Sequence, residues 1–215
     1  VILFDETLRQ NAADGTPLRE VILSQKSLPG IKVDQGVQPF NGSDKEKTTQ
    51  GLDGLDERCK EYDSLGAKFT KWRAVINIGD SIPSNECIND NMVSLAKYAA
   101  IAQQNNMVPI VEPEVIMDGN HSIDQCYEVT KNVLLKLFEL LEKESVSIKG
   151  TLLKPNMVVS GTENEYQAPV KEVAEKTIEC LKSSIPSDLP GIVFLSGGQS
   201  DLDATAHLDA MNKIG

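Results

Sequence analysis

The sequence has few of the residues that build metal centres or disulfide frameworks. Its 215 residues include two histidines and four cysteines, and the cysteines are widely separated with no CxxC pair. A zinc knuckle or a disulfide-stapled domain needs closely spaced ligands or paired cysteines. His121 and His207 have no partner at metal-ligand spacing, so we interpret them as exposed or packing residues. We therefore expect no metal ion in the site and free thiols, as in a cytoplasmic protein.

Positive charge and long apolar runs are also scarce. The formal net charge is −11, which argues against a nucleic-acid partner, because nucleic-acid phosphates bind through clustered Lys and Arg. No apolar run approaches the ~20 residues needed to span a bilayer. The composition, 40% hydrophobic and 25% charged, is that of a globular protein with a core of normal size. A small anionic ligand is still compatible with this charge, because net charge describes the bulk surface rather than one pocket.

Short β-branched runs alternate with longer amphipathic stretches along the chain, and no linker or low-complexity segment divides them. The predicted strands are 1–4, 31–33, 69–76, 108–111, 151–153 and 192–195. The predicted helices lie at about 49–64, 87–104, 126–141 and 169–183, and a further helix begins near 199. Strands that alternate with helices in this way are typical of βαβ units and a parallel sheet.

Two α/β folds fit this pattern, a doubly wound sheet and a (β/α)₈ barrel. No GxGxxG follows a predicted strand, so a dinucleotide-binding fold would lack its first turn. A complete barrel typically needs about 250 residues. The chain begins inside an apolar run without Met. We therefore expect a TIM barrel, a single domain over residues 1–215 that is truncated at both ends and has about six of the eight strands.

Charged residues interrupt the hydrophobic pattern of three predicted strands or their carboxyl ends. They are Lys71, Arg73, Glu112, Glu114 and Lys154. Side chains alternate along a strand, so Lys71 and Arg73 share a face, as do Glu112 and Glu114. Buried charges must be paired, and function in parallel α/β folds collects at the carboxyl ends of the strands. The pattern predicts a functional charge cluster, with a purely structural salt-bridge network as the alternative.

A lysine in such a cluster can act as a nucleophile. Burial and a second cation favour the neutral amine, whereas nearby carboxylates favour the ammonium form. Carboxylates can also carry the proton that a carbinolamine needs when it loses water to form a Schiff base. The residues alone leave open whether Lys154 or Lys71 is the nucleophile.

The segment Ser196-Gly197-Gly198 follows the last predicted strand and precedes a predicted helix. Glycines let backbone N–H groups approach a phosphate closely, and a helix N-terminus favours an anion. Phosphate sites of barrels commonly lie after a late strand. We interpret this segment as a phosphate site, with an ordinary turn as the alternative.

Several segments together resemble one enzyme family along essentially the whole chain, the class I fructose-bisphosphate aldolases. The matching segments are Gly30-Ile-Lys-Val-Asp34, Thr49-Gln-Gly-Leu-Asp-Gly-Leu55, Lys71-Trp-Arg73, Val108-Pro-Ile-Val-Glu-Pro-Glu114, Gly150-Thr-Leu-Leu-Lys-Pro-Asn-Met157 and Phe194-Leu-Ser-Gly-Gly-Gln-Ser200. The resemblance implies a (β/α)₈ barrel, a homotetramer and no cofactor. It also implies reversible cleavage of fructose 1,6-bisphosphate to dihydroxyacetone phosphate and glyceraldehyde 3-phosphate.

The resemblance also implies roles for the charged cluster. Lys154 matches the Schiff-base lysine, within the family's active-site signature. Glu112 matches the acid/base that serves carbinolamine formation and dehydration. Lys71 matches the lysine that maintains the charge balance of the site, and Glu114 matches the carboxylate paired with it.

For the substrate, the resemblance implies contacts at both phosphates. Lys32 matches a residue that binds the six-position phosphate. Ser196 and Gly197 match the cradle of the one-position phosphate, and Gly198 is structural beside them. Arg73 matches a basic residue near the phosphates. Phosphate residues at both ends favour a bisphosphate over the substrates of other Schiff-base barrel enzymes, such as transaldolase or deoxyribose-phosphate aldolase.

The family pattern has parts with no counterpart in this chain. They are an active-site aspartate on the first strand, a phosphate-binding arginine on the eighth strand and a C-terminal tail that ends in tyrosine. We therefore expect the 215-residue chain alone to be poorly active. The resemblance further implies cytoskeletal partners, and a binding protein that has lost the chemistry is the second alternative. Intact Lys154, Glu112 and Lys71 argue against that alternative.

Overall fold

The computed structural model describes residues 1–214. Its strands are β1 (Ile2–Leu3), β2 (Gly30–Lys32), β3 (Val37–Pro39), β4 (Lys47–Thr49), β5 (Phe69–Ile76), β6 (Val108–Val115) and β7 (Leu152–Leu153). Its α-helices are α1 (Asp5–Arg9), α2 (Leu18–Ser24), α3 (Leu55–Ser64), α4 (Asn85–Gln104), α5 (Ile123–Lys143), α6 (Val170–Ser184) and α7 (Asp201–Ile214). Among residues 1–214, none of the helices has the combination of length and apolar character that a membrane span requires.

The main sheet has five parallel strands in the order β1-β2-β5-β6-β7. A doubly wound sheet reverses its strand order at a switch point. Here each strand is added beside the preceding one in chain order, which is the arrangement of a (β/α)₈ barrel. The sheet does not close on itself within the described residues. The predicted α/β class and the preference for an incomplete barrel are therefore confirmed.

The sixth predicted strand, 192–195, joins the sheet only partly. Ile192 makes one parallel bridge to Leu153. The backbone N–H of Val193 donates to the carbonyl of Leu153 at 2.9 Å, and Leu195 continues along the same course. Residues 192–195 therefore run beside β7 as a strand would, but they make too few backbone hydrogen bonds with it to form a strand.

Other boundaries differ from the predicted ones for local reasons. Strand β6 continues to Val115, so Glu112 and Glu114 lie inside a strand rather than at its end. The helix predicted at 49–64 is α3, which begins only at Leu55, because Gly54 just before it adopts a left-handed conformation with φ of 64°. The antiparallel pair β3–β4 was not predicted. Its segments, Val-Gln-Pro and Lys-Thr-Thr, lack the apolar β-branched run that marked the predicted strands.

Helix α5 shows how the outer layer forms. Ser122 caps its N-terminus and accepts a hydrogen bond from the backbone of Gln125, whose side chain accepts one from the backbone of Ser122 in return. Such reciprocal caps satisfy backbone donors that the first turn leaves free. One face of the helix is buried at three- and four-residue spacing: Cys126, Thr130, Val133, Leu137 and Leu141. This face, like that of α4, packs towards the sheet and leaves the charged face in water.

The two faces of the central strands have different surroundings. Trp72 of β5 is fully buried and stacks on Tyr98 of α4 at a ring-centroid distance of 5.4 Å. Tyr98 also shares a 2.8 Å hydrogen bond with Thr70, so even-numbered residues of β5 face the helices. Lys71 and Arg73 therefore point to the opposite face, which is the interior side of the curved sheet.

Candidate active site

The charged cluster is built by strand register. Lys32 of β2 lies opposite Lys71 of β5, and Arg73 lies opposite Glu112 of β6. Lys154 directly follows β7, and its backbone N–H donates to the carbonyl of Val111 at 2.8 Å. Aligned residues in neighbouring strands share a face, so these side chains converge on the interior side.

Glu112 lies between two lysines. Its Oε1 accepts a hydrogen bond from Lys154 Nζ at 2.6 Å, and its Oε2 lies 2.9 Å from Lys71 Nζ. The exposed fractions of the side chains are 5% for Glu112, 10% for Lys71 and 21% for Lys154. Lys154 is therefore the amine that a substrate can reach, with a carboxylate behind it that can deliver or remove a proton.

Asp34 is a member of the cluster that was not predicted. Its carboxylate accepts a hydrogen bond from Lys32 Nζ at 2.5 Å and lies 3.8 Å from Lys71 Nζ. It also accepts a bond from the backbone N–H of Arg73 at 3.3 Å. The sequence does hold a signal for it, because Asp34 is two residues after Lys32 and alternation carries it to the same face.

Arg73 and Glu114 form a separate ion pair at the edge of the cluster. The resemblance implied that Glu114 pairs with Lys71, and the structure contradicts this: Lys71 pairs with Glu112 and Asp34 instead. Glu114 lies further along β6, opposite Val75, and the long Arg73 side chain extends to it. The bond from Glu114 raises the pKa of Arg73 above its ordinary value, and burial opposes this only in part.

The site carries positive charge in an acidic protein. Four cations and three carboxylates meet in the ion pairs around Glu112, Asp34 and Glu114, so the formal charge of the site is +1. The formal charge of the whole chain is −11. A local excess of positive charge favours an anionic ligand.

Residues 196–198 form a tight turn beside the end of β7. Gly197 and Gly198 have φ values of 65° and 95°, which favour glycine. The carbonyl of Ser196 accepts the backbone N–H of Gln199 at 3.1 Å, and Leu195 N–H donates to the carbonyl of the residue after Lys154 at 3.3 Å. The turn is thus held next to the lysine cluster. Among residues 1–214 it makes no ion pair or hydrogen bond with that cluster, and helix α7 begins just after it, at Asp201.

Thiol or metal chemistry would depend on the cysteines and histidines. The four cysteines are buried and free, and burial raises the pKa of Cys180 to about 12, so its thiol is a poor nucleophile. Within residues 1–214, no three or more His, Cys, Asp or Glu side chains are placed to hold a metal ion. His121 and His207 are both buried, which corrects the part of the interpretation that left them open to solvent.

Comparison with known proteins identifies the family. The family model described as fructose-bisphosphate aldolase class-I matches residues 1–215. The chain belongs to the class I fructose-bisphosphate aldolase family. A probable fructose-bisphosphate aldolase class 1 of Xanthomonas axonopodis pv. citri is 56% identical over 214 residues, covering 100% of this chain and 64% of the relative. Fructose-bisphosphate aldolase 6, cytosolic, of Arabidopsis thaliana is 50% identical, with 100% and 60% covered.

A solved structure supports the same family assignment. The Plasmodium falciparum fructose-bisphosphate aldolase, crystallised with TRAP and a small-molecule inhibitor, superposes on this aldolase-family chain with a TM-score of 0.97 at 46% identity. The match covers 100% of this chain and 62% of the Plasmodium chain. The chain therefore spans slightly less than two thirds of the length of the relatives that it matches.

Proposed function

We propose that the whole protein is a fructose-bisphosphate aldolase that works through a Schiff base on Lys154. The observation that carries this proposal is the 2.6 Å contact between Lys154 Nζ and Glu112 Oε1, beside a second lysine on the same carboxylate. A solvent-reachable amine and a buried proton carrier are the two groups that Schiff-base formation needs.

In the proposed reaction, the neutral amine of Lys154 attacks the C2 ketone of the open-chain sugar and forms a carbinolamine. Glu112 gives a proton to the departing hydroxyl, water leaves, and a protonated Schiff base remains. The C3–C4 bond then breaks as a base takes the C4 hydroxyl proton, and the iminium accepts the electron pair. Glyceraldehyde 3-phosphate leaves, and protonation of the enamine followed by hydrolysis releases dihydroxyacetone phosphate.

We assign the neighbouring charges supporting roles. Lys71, 2.9 Å from Glu112, keeps the carboxylate charge-compensated while Lys154 is neutral. Glu114 holds Arg73 in place through their ion pair. Asp34 joins this group because it bridges Lys32 and Lys71.

We assign the two phosphates of the substrate to opposite ends of the site. Lys32 receives the six-position phosphate, which is supported by an exposed fraction of 24% for its side chain. Ser196 and the backbone N–H of Gly197 receive the one-position phosphate, and Gly198 allows the tight turn. Arg73, 41% exposed, adds positive charge near the phosphates.

We further propose that residues 1–215 act as one barrel domain of a cytoplasmic homotetramer. One cluster of buried residues that runs through the sheet and the helices supports the single domain. Cytoplasmic location is supported by buried free thiols and by relatives named as cytosolic or cytoplasmic isozymes. Cytoskeletal partners stay a prediction, and the protein partner TRAP in the Plasmodium structure supports the proposal that this chain has protein partners. Light scattering on a sizing column would test the tetramer.

Borohydride trapping tests the chemistry. The 215-residue chain is incubated with dihydroxyacetone phosphate, reduced and digested, and the added mass is located by peptide sequencing. We expect it on Lys154, with none in Lys154→Met. The matched control is Lys136→Met, which removes a lysine from an outer-face ion pair of α5 and should leave the label unchanged. Label on Lys71 instead, or on no lysine of either the 215-residue chain or a version extended at both ends, would contradict the proposal.

A further inference from the structure

The turn at residues 196–198 is held by a side chain that the proposed reaction does not use. Gln199 donates from its side-chain Nε2 to the carbonyl oxygen of Ser196 at 2.8 Å. The same carbonyl accepts the backbone N–H of Gln199 at 3.1 Å. One carbonyl thus accepts two hydrogen bonds from one residue, which limits rotation of the peptide that joins Ser196 to Gly197.

The side chain of Gln199 is in turn held by His207. His207 is buried in α7, and its Nδ1 lies 2.6 Å from Gln199 Oε1. The carbonyl oxygen of Ser196 and the sulfur of Met157, which lies 3.6 Å from Gln199 Nε2, are both acceptors. The NH₂ group of Gln199 must therefore point towards them. The amide oxygen therefore faces His207, and because an amide oxygen only accepts, Nδ1 of His207 is the donor.

We propose that His207 and Gln199 are positioning residues that orient the backbone N–H of Gly197 towards a phosphate. This rests on the proposed function, because it takes the turn as the phosphate site. The orientation matters because a phosphate bound by backbone N–H groups needs those groups to be aligned before it arrives. Glycine restricts the backbone less than other residues do, so the two successive glycines of this turn depend on outside contacts to hold one conformation.

Packing alone does not account for His207. Its side chain borders a cavity of about 460 Å³, whose lining also includes Gln167, Asp203 and Val173. A residue kept only to fill space would be apolar and would leave less of that cavity open. Within residues 1–214, the bond to Gln199 is the one hydrogen bond that the side chain of His207 makes.

The test measures binding of inorganic phosphate to the 215-residue chain by the amide NMR shifts of Gly197 and Gly198. His207→Phe keeps the ring but removes the donor, and we expect binding about fivefold weaker, the scale of one net hydrogen bond. His207→Asn places an N–H where Nδ1 stood and should bind within about twofold of the unchanged chain. His207→Gln places its N–H further out and should resemble the Phe variant.

A double-mutant cycle tests whether the two residues act in series. Gln199→Met removes the side-chain bonds to Ser196, Met157 and His207. Adding His207→Phe to it should weaken phosphate binding no further. Urea unfolding of each variant shows whether it folds.

The outcomes separate this inference from the proposed function. If the unchanged chain shows no phosphate-dependent shift at Gly197 and Gly198, the proposed phosphate site is wrong and the inference is overturned with it. If the unchanged chain binds and His207→Phe binds equally well, only the inference is overturned. If His207→Asn binds as weakly as His207→Phe while Phe is the more stable variant, His207 is a packing residue, which also overturns it.

Discussion

Replacing Glu112 by Gln tests whether the lysine cluster is held by this one carboxylate. The substitution keeps the size of the side chain and removes its charge. A neutral amide can accept a bond from one ammonium group with its oxygen, but its NH₂ group then faces the other. Lys71 still has Asp34 at 3.8 Å, whereas Lys154 has no other ion-pair partner among residues 1–214.

The expected magnitude follows from the burial of the groups. A hydrogen bond to a charged group contributes about 1.5–3 kcal/mol, and breaking a fully buried ion pair costs about 3–5 kcal/mol. Water can partly replace the lost partner of Lys154, whose side chain is 21% exposed. We therefore expect Glu112→Gln to lower the free energy of unfolding by about 2–4 kcal/mol. The matched control is Glu139→Gln, in an exposed pair with Lys136, which should cost at most about 0.5 kcal/mol.

Urea unfolding followed by tryptophan fluorescence measures both losses. Trp72 is the single tryptophan and is fully buried against Tyr98, so its emission reports on the core rather than on the site. Adding Lys154→Met to Glu112→Gln should restore part of the stability, because it removes the unpaired ammonium group. A loss from Glu112→Gln no larger than that from Glu139→Gln would refute the reasoning, since it would mean that water screens the cluster as it screens the surface.

Two further predictions concern the core and the buried histidine. Leu137→Ala, at a fully buried position of α5, should lower the free energy of unfolding by about 3 kcal/mol. Leu135→Ala, at a position that is 48% exposed, should lower it by less than about 1 kcal/mol. Equal urea midpoints for these two variants would contradict the prediction. Burial lowers the pKa of His121 below its ordinary value of 6.5, and both of its ring nitrogens lack a hydrogen-bond partner within the described residues. The unfolded chain therefore binds this proton more readily, so stability should be highest above pH 6.5 and fall as the pH drops below it. His121→Phe should make the loss of stability between pH 7.5 and 5.5 smaller. If the urea midpoint of the variant changed between these pH values by as much as that of the parent chain, His121 would not be the group responsible.

Much of the candidate site was predictable because it depends on local alternation. Lys71, Glu112 and Lys154 each break a hydrophobic strand pattern, and a period of two assigns them to faces without any tertiary information. The resemblance added their roles. The structure then brought these three side chains into direct contact, as the pattern predicted.

Pairing between side chains was less predictable, because it depends on the register of strands that are far apart in the chain. The offset of β5 against β6 places Glu114 opposite Val75, and Arg73 rather than Lys71 extends to it. Asp34 joined the cluster for the same reason, since β2 aligns Lys32 with Lys71. Nothing in a single strand's pattern specifies its offset from the next strand.

Local patterns along the chain were enough to predict the alternation of strands and helices, the helix periodicity and the residue types of the site. These depend on interactions between near neighbours, such as the Ser122 cap of α5 and its apolar face. The folded chain was needed to show the strand order, the ion-pair partners and the hydrogen bonds that link His207, Gln199 and Ser196. Those features depend on which distant segments become neighbours, and that is settled only when the sheet and its helices pack together.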